Sequence, residues 1–269
     1  MNIISGSRQT SNMSVCVSCK DPLVLGIDED ENAAPVPDDL LLPCGCHYHW
    51  QCFLDSSSDV VISLKCPSCG NHLATNAPGP SVTNTIFPSS QDVAIVTRYH
   101  SEGGVQDDYN ILPDVTEEAY LTMHPEARPA HAFHEMCAEN NVEGILSILH
   151  DFDHPDSDDE DEAPRLPKDQ MLRYQDPLNG NKSALHIAVE KDQPQVALLL
   201  LYLASGLATD NFPPDALEVA VNLQLQRPTL TNPSDDIRAL KDSQERTAEE
   251  YAYQAGPRWV SFIEAGMFA

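Results

Sequence analysis

The sequence predicts a multidomain α+β protein in which a small cysteine-rich module precedes an all-α stack of repeats. Seven of the eight cysteines lie within residues 16–69, and one short helical motif recurs after residue 129. The chain has 269 residues, of which 21 are Pro and 42 are acidic, and this composition does not suit one uniformly packed core. We therefore expect separate modules, preceded by a disordered N-terminus at residues 1–15.

The charge of the chain restricts its partners. Fifteen basic residues stand against 42 acidic ones, for a net charge of −27. Nucleic acids and anionic membranes bind clustered Lys and Arg, which the sequence lacks, so we expect neither as a partner. The longest strongly apolar run, residues 196–204, is about half as long as a membrane span. Because the amino terminus also lacks an apolar secretory signal, we expect an intracellular protein, cytoplasmic or nuclear.

The cysteine cluster has the spacing of zinc ligands. Two cysteines separated by two residues form a knuckle from which both thiolates reach one ion, and structural zinc takes four N or S ligands. In a reducing compartment, a local cluster favours metal binding over disulfides or an inert core. The predicted ligands of two Zn²⁺ ions are Cys16, Cys19, Cys44, Cys46, His49, Cys52, Cys66 and Cys69.

Two stretches resemble the RING finger family: LLLPCGCHYHWQCF at residues 40–53, and the knuckle KCPSC at residues 65–69. The resemblance implies a cross-brace RING module at residues 16–70, in which the first and third ligand pairs share one zinc and the second and fourth pairs share the other. The first ion would then be held by Cys16, Cys19, His49 and Cys52, and the second by Cys44, Cys46, Cys66 and Cys69.

Two alternatives concern the ligand pattern. The fourth ligand of most RINGs with this spacing is His, so His47 could replace Cys46, although the spacing then becomes less regular. The PHD finger uses the same order of Cys and His but places more residues between its fourth ligand and the His. The short interval between Cys46 and His49 therefore favours the RING.

The RING resemblance also implies a function and a contact surface. Such a module binds a ubiquitin-conjugating enzyme that carries ubiquitin, and the resemblance places Val17, Ile62 and Pro67 at the contact. Val60 and Val61 are alternatives to Ile62, and internal packing is the alternative role for all three. Many active RINGs carry Arg or Lys directly after the last ligand, where this chain has Gly70. The chain contains no GxSxG, phosphate-loop or HExxH motif, so we predict no catalytic residue.

Residues 71–128 read as a Pro-rich linker with a possible β-hairpin. Ala77-Pro78-Gly79-Pro80 is typical of a linker. Residues 92–100 have β-branched, strand-like content, and a Gly-Gly turn could lead the chain back along residues 105–111. Because a lone hairpin is only marginally stable, we expect this one to pack on a neighbour or to be loosely ordered.

The helical motif recurs four times in residues 129–269. The copies begin at His131, Ser183, Asp215 and Thr247, and the last three share a fixed spacing. The openings, above all SALHIA at residues 183–188, resemble the ankyrin repeat. The resemblance implies an ankyrin stack of about four repeats with an acidic insertion at residues 151–168, and the alternative is an unrelated helical bundle. The implied contact segments are residues 176–182, 210–215 and 242–246.

The modules together predict a RING-type E3 ubiquitin ligase. The zinc module would recruit the ubiquitin-conjugating enzyme and ubiquitin, and the ankyrin stack would select a protein substrate. A non-catalytic zinc-binding scaffold is the alternative, because Gly70 cannot donate a side-chain hydrogen bond. A zinc-dependent reader of histones or DNA is disfavoured by the shortage of basic residues.

Overall fold

The computed structural model describes residues 14–26, 35–75, 93–153, 164–222, 227, 230 and 232–269. The predicted disordered N-terminus lies almost wholly outside these residues, as do the acidic run at residues 28–31, the linker sequence at residues 77–80 and the centre of the acidic insertion. The chain divides into two compact units, Met1–Met123 and His124–Ala269.

In the residues that the structure describes, the first unit combines short strands with three helices. Its strands form a two-stranded sheet, β1–β2, and a four-stranded antiparallel sheet in the order β4-β3-β5-β6. The elements are β1 (Val24–Leu25), β2 (Val36–Pro37), β3 (Asp39–Leu41), β4 (His47–Tyr48), α1 (Trp50–Leu54), α2 (Ser57–Ser63), β5 (Val96–Ser101), β6 (Gly104–Asn110) and α3 (Leu112–Met123).

The range predicted as a linker contributes a hairpin and a helix to this unit. The hairpin β5–β6 pairs with β3, with Tyr99 opposite Leu40, and so gains the neighbour that a lone hairpin lacks. Helix α3 packs against α2, and its buried Val115 lies in the same apolar core as Val60 and Val61 of α2. Residues 93–123 are therefore part of the first unit, because their apolar side chains complete its core.

The second unit is largely helical. Its elements are α4 (Arg128–Glu139), α5 (Val142–Asp153), α6 (Lys168–Leu172), β7 (Gln175–Asp176), β8 (Lys182–Ser183), α7 (Ala184–Glu190), α8 (Pro194–Ala204), α9 (Pro214–Asn222), α10 (Ala248–Ala255) and α11 (Val260–Glu264). Single 3-10 turns lie at Pro125–Ala127, Pro177–Asn179, Thr209–Asn211, Pro233–Asp235, Ile237–Ala239 and Pro257–Trp259.

Three helix pairs organise the second unit. Helices α4 and α5 contact each other, as do α7 and α8, and α10 and α11. Across the pairs, α7 packs against both α4 and α10. A regular stack of four repeats in chain order would place α9, the helix of the third motif, between α7 and α10. The direct packing of α7 on α10 departs from that order, and prolines at positions 228 and 233 follow α9, where a continuing helix is disfavoured.

Hydrogen bonds join the loops that precede α7 and α10. The Ser183 and His186 side chains form a reciprocal capping box at the start of α7. The other ring nitrogen of His186, Nε2, lies 3.0 Å from the carbonyl oxygen of Arg246, just before α10. The Ser243 N–H donates to the Gly180 carbonyl at 2.8 Å. Two of the three segments predicted to contact a partner, residues 176–182 and 242–246, therefore lie side by side.

The longest helices of the described residues have 12 residues each. Among these residues, no helix combines the length and the apolar character needed to cross a bilayer.

His134 makes the stability of the second unit depend on pH. Its side chain is buried beside the Tyr174 ring, and burial together with the nearby His131 and His186 lowers the pKa of His134 to about 3. The folded chain therefore keeps His134 neutral, whereas the unfolded chain protonates it below its ordinary pKa of 6.5. The free energy of unfolding should fall as the pH drops below 6.5, by up to about 1.4 kcal/mol per pH unit from this residue.

Replacement of His134 should reduce this pH dependence. We expect His134→Leu to flatten the loss of stability between pH 6.5 and 5, measured by urea unfolding followed through helical circular dichroism. His186, whose pKa burial also lowers, contributes to the slope that remains. His150→Leu is the matched control, since the His150 side chain is 69% exposed. Equal slopes for both variants and the original chain would contradict the prediction.

Candidate metal centre

Two groups of four side chains converge in the first unit. Within each group, all four ligand atoms lie within 4.8 Å of one another. A tetrahedral zinc ion with bonds of about 2.0 to 2.3 Å separates its ligands by roughly 3.3 to 3.8 Å, so each group could hold one ion. The first site consists of Cys16, Cys19, His49 and Cys52, and the second site consists of Cys44, Cys46, Cys66 and Cys69. These are the two sets that the RING resemblance implies.

Two knuckles of matching backbone geometry present the outer ligand pairs. In the first knuckle, the Lys20 N–H donates to the Cys16 carbonyl at 3.0 Å, and in the second, the Gly70 N–H donates to the Cys66 carbonyl at 2.9 Å. Lys20 and Gly70 both have a φ of 72°. The position after the second cysteine of each knuckle is therefore left-handed, and Lys20 shows that a side chain can occupy it.

The inner ligand pairs follow β3. The turn between β3 and β4 carries Cys44 and Cys46, and it is closed by a 2.9 Å bond from the Leu42 N–H to the Cys46 carbonyl. Gly45, between the two cysteines, has a φ of 86°, which suits glycine. Strand β4 then leads directly to His49 and to Cys52 in α1. Two ligand pairs that are adjacent in the chain, Cys44 with Cys46 and His49 with Cys52, therefore belong to different sites.

His49 is oriented for metal binding by its second ring nitrogen. Its Nδ1 lies 3.3 Å from Cys19 Sγ and 3.8 Å from Cys52 Sγ, while Nε2 lies 2.9 Å from the Pro22 carbonyl oxygen. Donation from Nε2–H to this carbonyl leaves the Nδ1 lone pair for an ion. The backbone N–H of His49 donates to Cys16 Sγ at 3.4 Å, which supports a thiolate there.

Tyr48 supports the second site in a similar way. Its hydroxyl lies 3.5 Å from Cys66 Sγ and accepts a 3.0 Å bond from the Ser68 N–H. Burial and the neighbouring Cys66 raise the pKa of Tyr48, so the phenol remains a donor. Tyr48 has no ligand spacing and was not among the predicted site residues, although its place directly before the ligand His49 is a signal for a supporting role.

The thiols differ in how readily they lose a proton. Burial raises the pKa of Cys16 and Cys66, but hydrogen bonds outweigh it and lower each to about 7. The donors are backbone N–H groups for Cys16 and, for Cys66, the Tyr48 hydroxyl with backbone N–H groups. Burial and the other thiols raise the pKa of Cys46 and Cys52, the latter to about 12. Each site thus combines a thiol whose pKa is lowered with one whose pKa is raised, and metal binding requires both as thiolates.

The donor sets fit structural zinc. One site offers three sulfurs and one nitrogen, and the other offers four sulfurs, both of which are known zinc combinations. Two Zn²⁺ ions would supply strong bonds between distant segments, and four protein ligands leave no open position for a reacting water. The arrangement is therefore a pair of closed metal-binding sites, consistent with two zinc ions.

The remaining predicted residues lie outside the two groups. His47, the alternative ligand, instead places its Nδ1 2.7 Å from Asp39 Oδ1. Val17 is half-buried and Pro67 is exposed, while the Ile62 residue is 63% exposed. Val60 and Val61 are buried, so internal packing accounts for these two and leaves Ile62 at the surface.

No protein-family model, curated protein or solved structure matched the chain.

Loss of the Tyr48 hydroxyl should weaken the second site selectively. We expect Tyr48→Phe to lower the metal affinity of this site about tenfold, because the hydrogen bond to Cys66 Sγ is lost while the ring remains. The measurement is chelator competition on the chain loaded with ¹¹³Cd²⁺, followed by NMR, in which sites with three and four thiolates resonate separately. An unchanged second-site affinity would contradict the supporting role of Tyr48.

Proposed function

We propose that the chain is a RING-type E3 ubiquitin ligase. Its first unit recruits a ubiquitin-conjugating enzyme loaded with ubiquitin, and its second unit binds the protein substrate. The observation that carries the proposal is the interleaving of the two ligand groups, with the first and third pairs in one site and the second and fourth pairs in the other. That order is the one the RING resemblance implies.

The surface of the first unit is compatible with docking of the conjugating enzyme. Helix α2 directs Val60 and Val61 into the core, where α3 packs, and leaves Ile62 exposed. Val17 and Pro67, on the two knuckles, also reach the surface. Apolar residues at the surface of a metal-stabilised module would provide contact area at little entropic cost.

The proposed role requires no catalytic side chain from this protein. The substrate lysine amine attacks the thioester carbonyl, an isopeptide bond forms, and the cysteine thiol of the conjugating enzyme leaves. The closed metal sites offer no position for a reacting group. The contribution of the ligase is to hold the loaded enzyme and the substrate in productive orientation, which lowers the entropic part of the barrier.

The second unit supports the recognition part of the proposal. His186 links its own turn, through Ser183, to the Arg246 carbonyl before α10 and so joins the second and fourth motifs. The adjacent loops at residues 176–182 and 242–246 offer a joint surface held by backbone hydrogen bonds. We propose an ankyrin-type recognition module there, with its substrate contacts on these loops.

The second candidate is a non-catalytic scaffold, and Gly70 is the observation that favours it. At this position an Arg or Lys would donate hydrogen bonds to ubiquitin and the conjugating enzyme together, and glycine has no side chain to do so. Bonds from charged donors contribute about 1.5 to 3 kcal/mol, so their absence would weaken stimulation.

The proposed contact predicts a loss of activity when Ile62 is shortened. We expect Ile62→Ala to reduce binding of the conjugating enzyme and in vitro ubiquitination on the order of tenfold, through lost apolar contact. Leu25→Ala is the matched control, since Leu25 is also a largely exposed apolar residue of the first unit, outside the predicted contact set. No ubiquitination by the folded, zinc-loaded original chain with a broad panel of conjugating enzymes would reject the ligase proposal.

Gly70→Arg separates a weak ligase from a scaffold. A Cβ at Gly70 would meet no atom within 4 Å, and Lys20 has the same φ of 72° at the matching position of the first knuckle, so the variant should fold. We expect it to accelerate ubiquitin discharge from the conjugating enzyme on the order of tenfold. Absence of both stimulation and binding, the latter measured by NMR titration, would favour the scaffold.

A further inference from the structure

We propose that Tyr99 is a positioning residue for the first metal site, acting through Asp38 on the helix that begins beside His49. The hairpin β5–β6 would then help to orient the ligands of the metal centre, although it supplies no ligand itself.

Helix α1 depends on a cap from outside its own sequence. The residue at its N-cap is His49, whose side chain makes no capping hydrogen bond because it is directed at the metal site. The Asp38 carboxylate takes over this role and accepts the Trp50 N–H, at 3.1 Å to Oδ1 and 3.3 Å to Oδ2. Asp38 therefore fixes the backbone between His49 and Cys52, the ligand pair that α1 presents.

Tyr99 fixes Asp38 in turn. Asp38 is only 3% exposed, and a buried carboxylate is costly unless its oxygens accept hydrogen bonds. The Tyr99 hydroxyl donates to Asp38 Oδ1 at 3.1 Å, although 61 positions separate the two residues in the chain. Burial and the charge of Asp38 raise the pKa of Tyr99 to about 12, which keeps the hydroxyl protonated.

Ring contacts add to this connection. The Trp50 ring packs against those of Tyr99 and Tyr109, with centroid distances of 4.8 Å and 5.8 Å. Both tyrosines belong to the hairpin, so the start of α1 is held by a hydrogen bond through Asp38 and by aromatic packing. The Tyr109 hydroxyl, by contrast, donates to Asp114 Oδ2 at 2.9 Å and takes no part in the connection to Asp38.

This connection serves the first site in particular. It ends at Trp50, directly between His49 and Cys52, whereas Tyr48 supports the second site through Cys66. Outer residues that orient metal ligands typically change metal affinity by 10- to 100-fold when they are removed. Loss of the Tyr99 hydroxyl should therefore act on one site and spare the other.

The test compares Tyr99→Phe with Tyr109→Phe in the full chain. Each variant loses one hydroxyl from the same hairpin and keeps its ring, but only Tyr99→Phe breaks the bond to Asp38. The chain is loaded with ¹¹³Cd²⁺, and a chelator is titrated while the resonances of the three-thiolate and four-thiolate sites are followed separately. We expect Tyr99→Phe to weaken the first site about tenfold and to leave the second unchanged, and Tyr109→Phe to alter neither.

The two resonances also distinguish positioning from general loss of stability. Equal weakening of both sites by Tyr99→Phe would overturn the proposal, because it would assign the hydroxyl a structural role only. An unchanged first site would overturn it as well. Asp38→Asn provides a second variant, which retains an oxygen to accept the Trp50 N–H but loses the charge, and it should also weaken the first site selectively.

Discussion

The first unit depends on one constraint: eight side chains from three stretches of chain meet in two interleaved groups of four, each of which could hold a metal ion. Neither group is local, since each draws one pair from a knuckle and the other from the hairpin and helix around residues 44–52. The short strands β1 to β4 have two or three residues each and cannot hold this arrangement by ladder hydrogen bonds alone. An apolar core and the added hairpin hold the described chain together, and two bound ions would strengthen this framework, on which the exposed Ile62 lies.

Much of this centre could be predicted from the sequence. Knuckle spacing is a local property, so the ligand residues are visible directly, and the RING resemblance assigned them to the two groups that the structure brings together. The supporting residues were not predictable in the same way. Asp38 and Tyr99 carry no spacing signal, and they meet only because β5 pairs with β3. The sequence predicts residues 71–128 as a Pro-rich linker with a possible β-hairpin. The strand with which this hairpin pairs, β3, comes much earlier in the chain and is only three residues long, so the pairing itself carries no local signal.

In the second unit, the local sequence pattern predicted where helices form better than it predicted which helices pack against each other. Helices occur at each of the four recurring motifs, since apolar spacing and capping act within a few residues. A period cannot reveal which helices become adjacent, however, because adjacency depends on how the intervening segments fold. The direct packing of α7 on α10 depends on the fold of the segments between them. The hydrogen bond between His186 and the Arg246 carbonyl is one contact of this packing.

The late position of Tyr99 in the chain has a consequence for synthesis. A ribosome makes all eight ligands by Cys69, so both ions could be captured before the hairpin exists. During that interval Asp38 has no phenol to hold it, and the start of α1 lacks its aromatic cover. The metal centre would therefore form in two stages: the ligands bind the ions first, and the hairpin fixes Asp38 and the start of α1 later. A fragment that ends just after Cys69 would contain all eight ligands but would lack the hairpin that fixes Asp38.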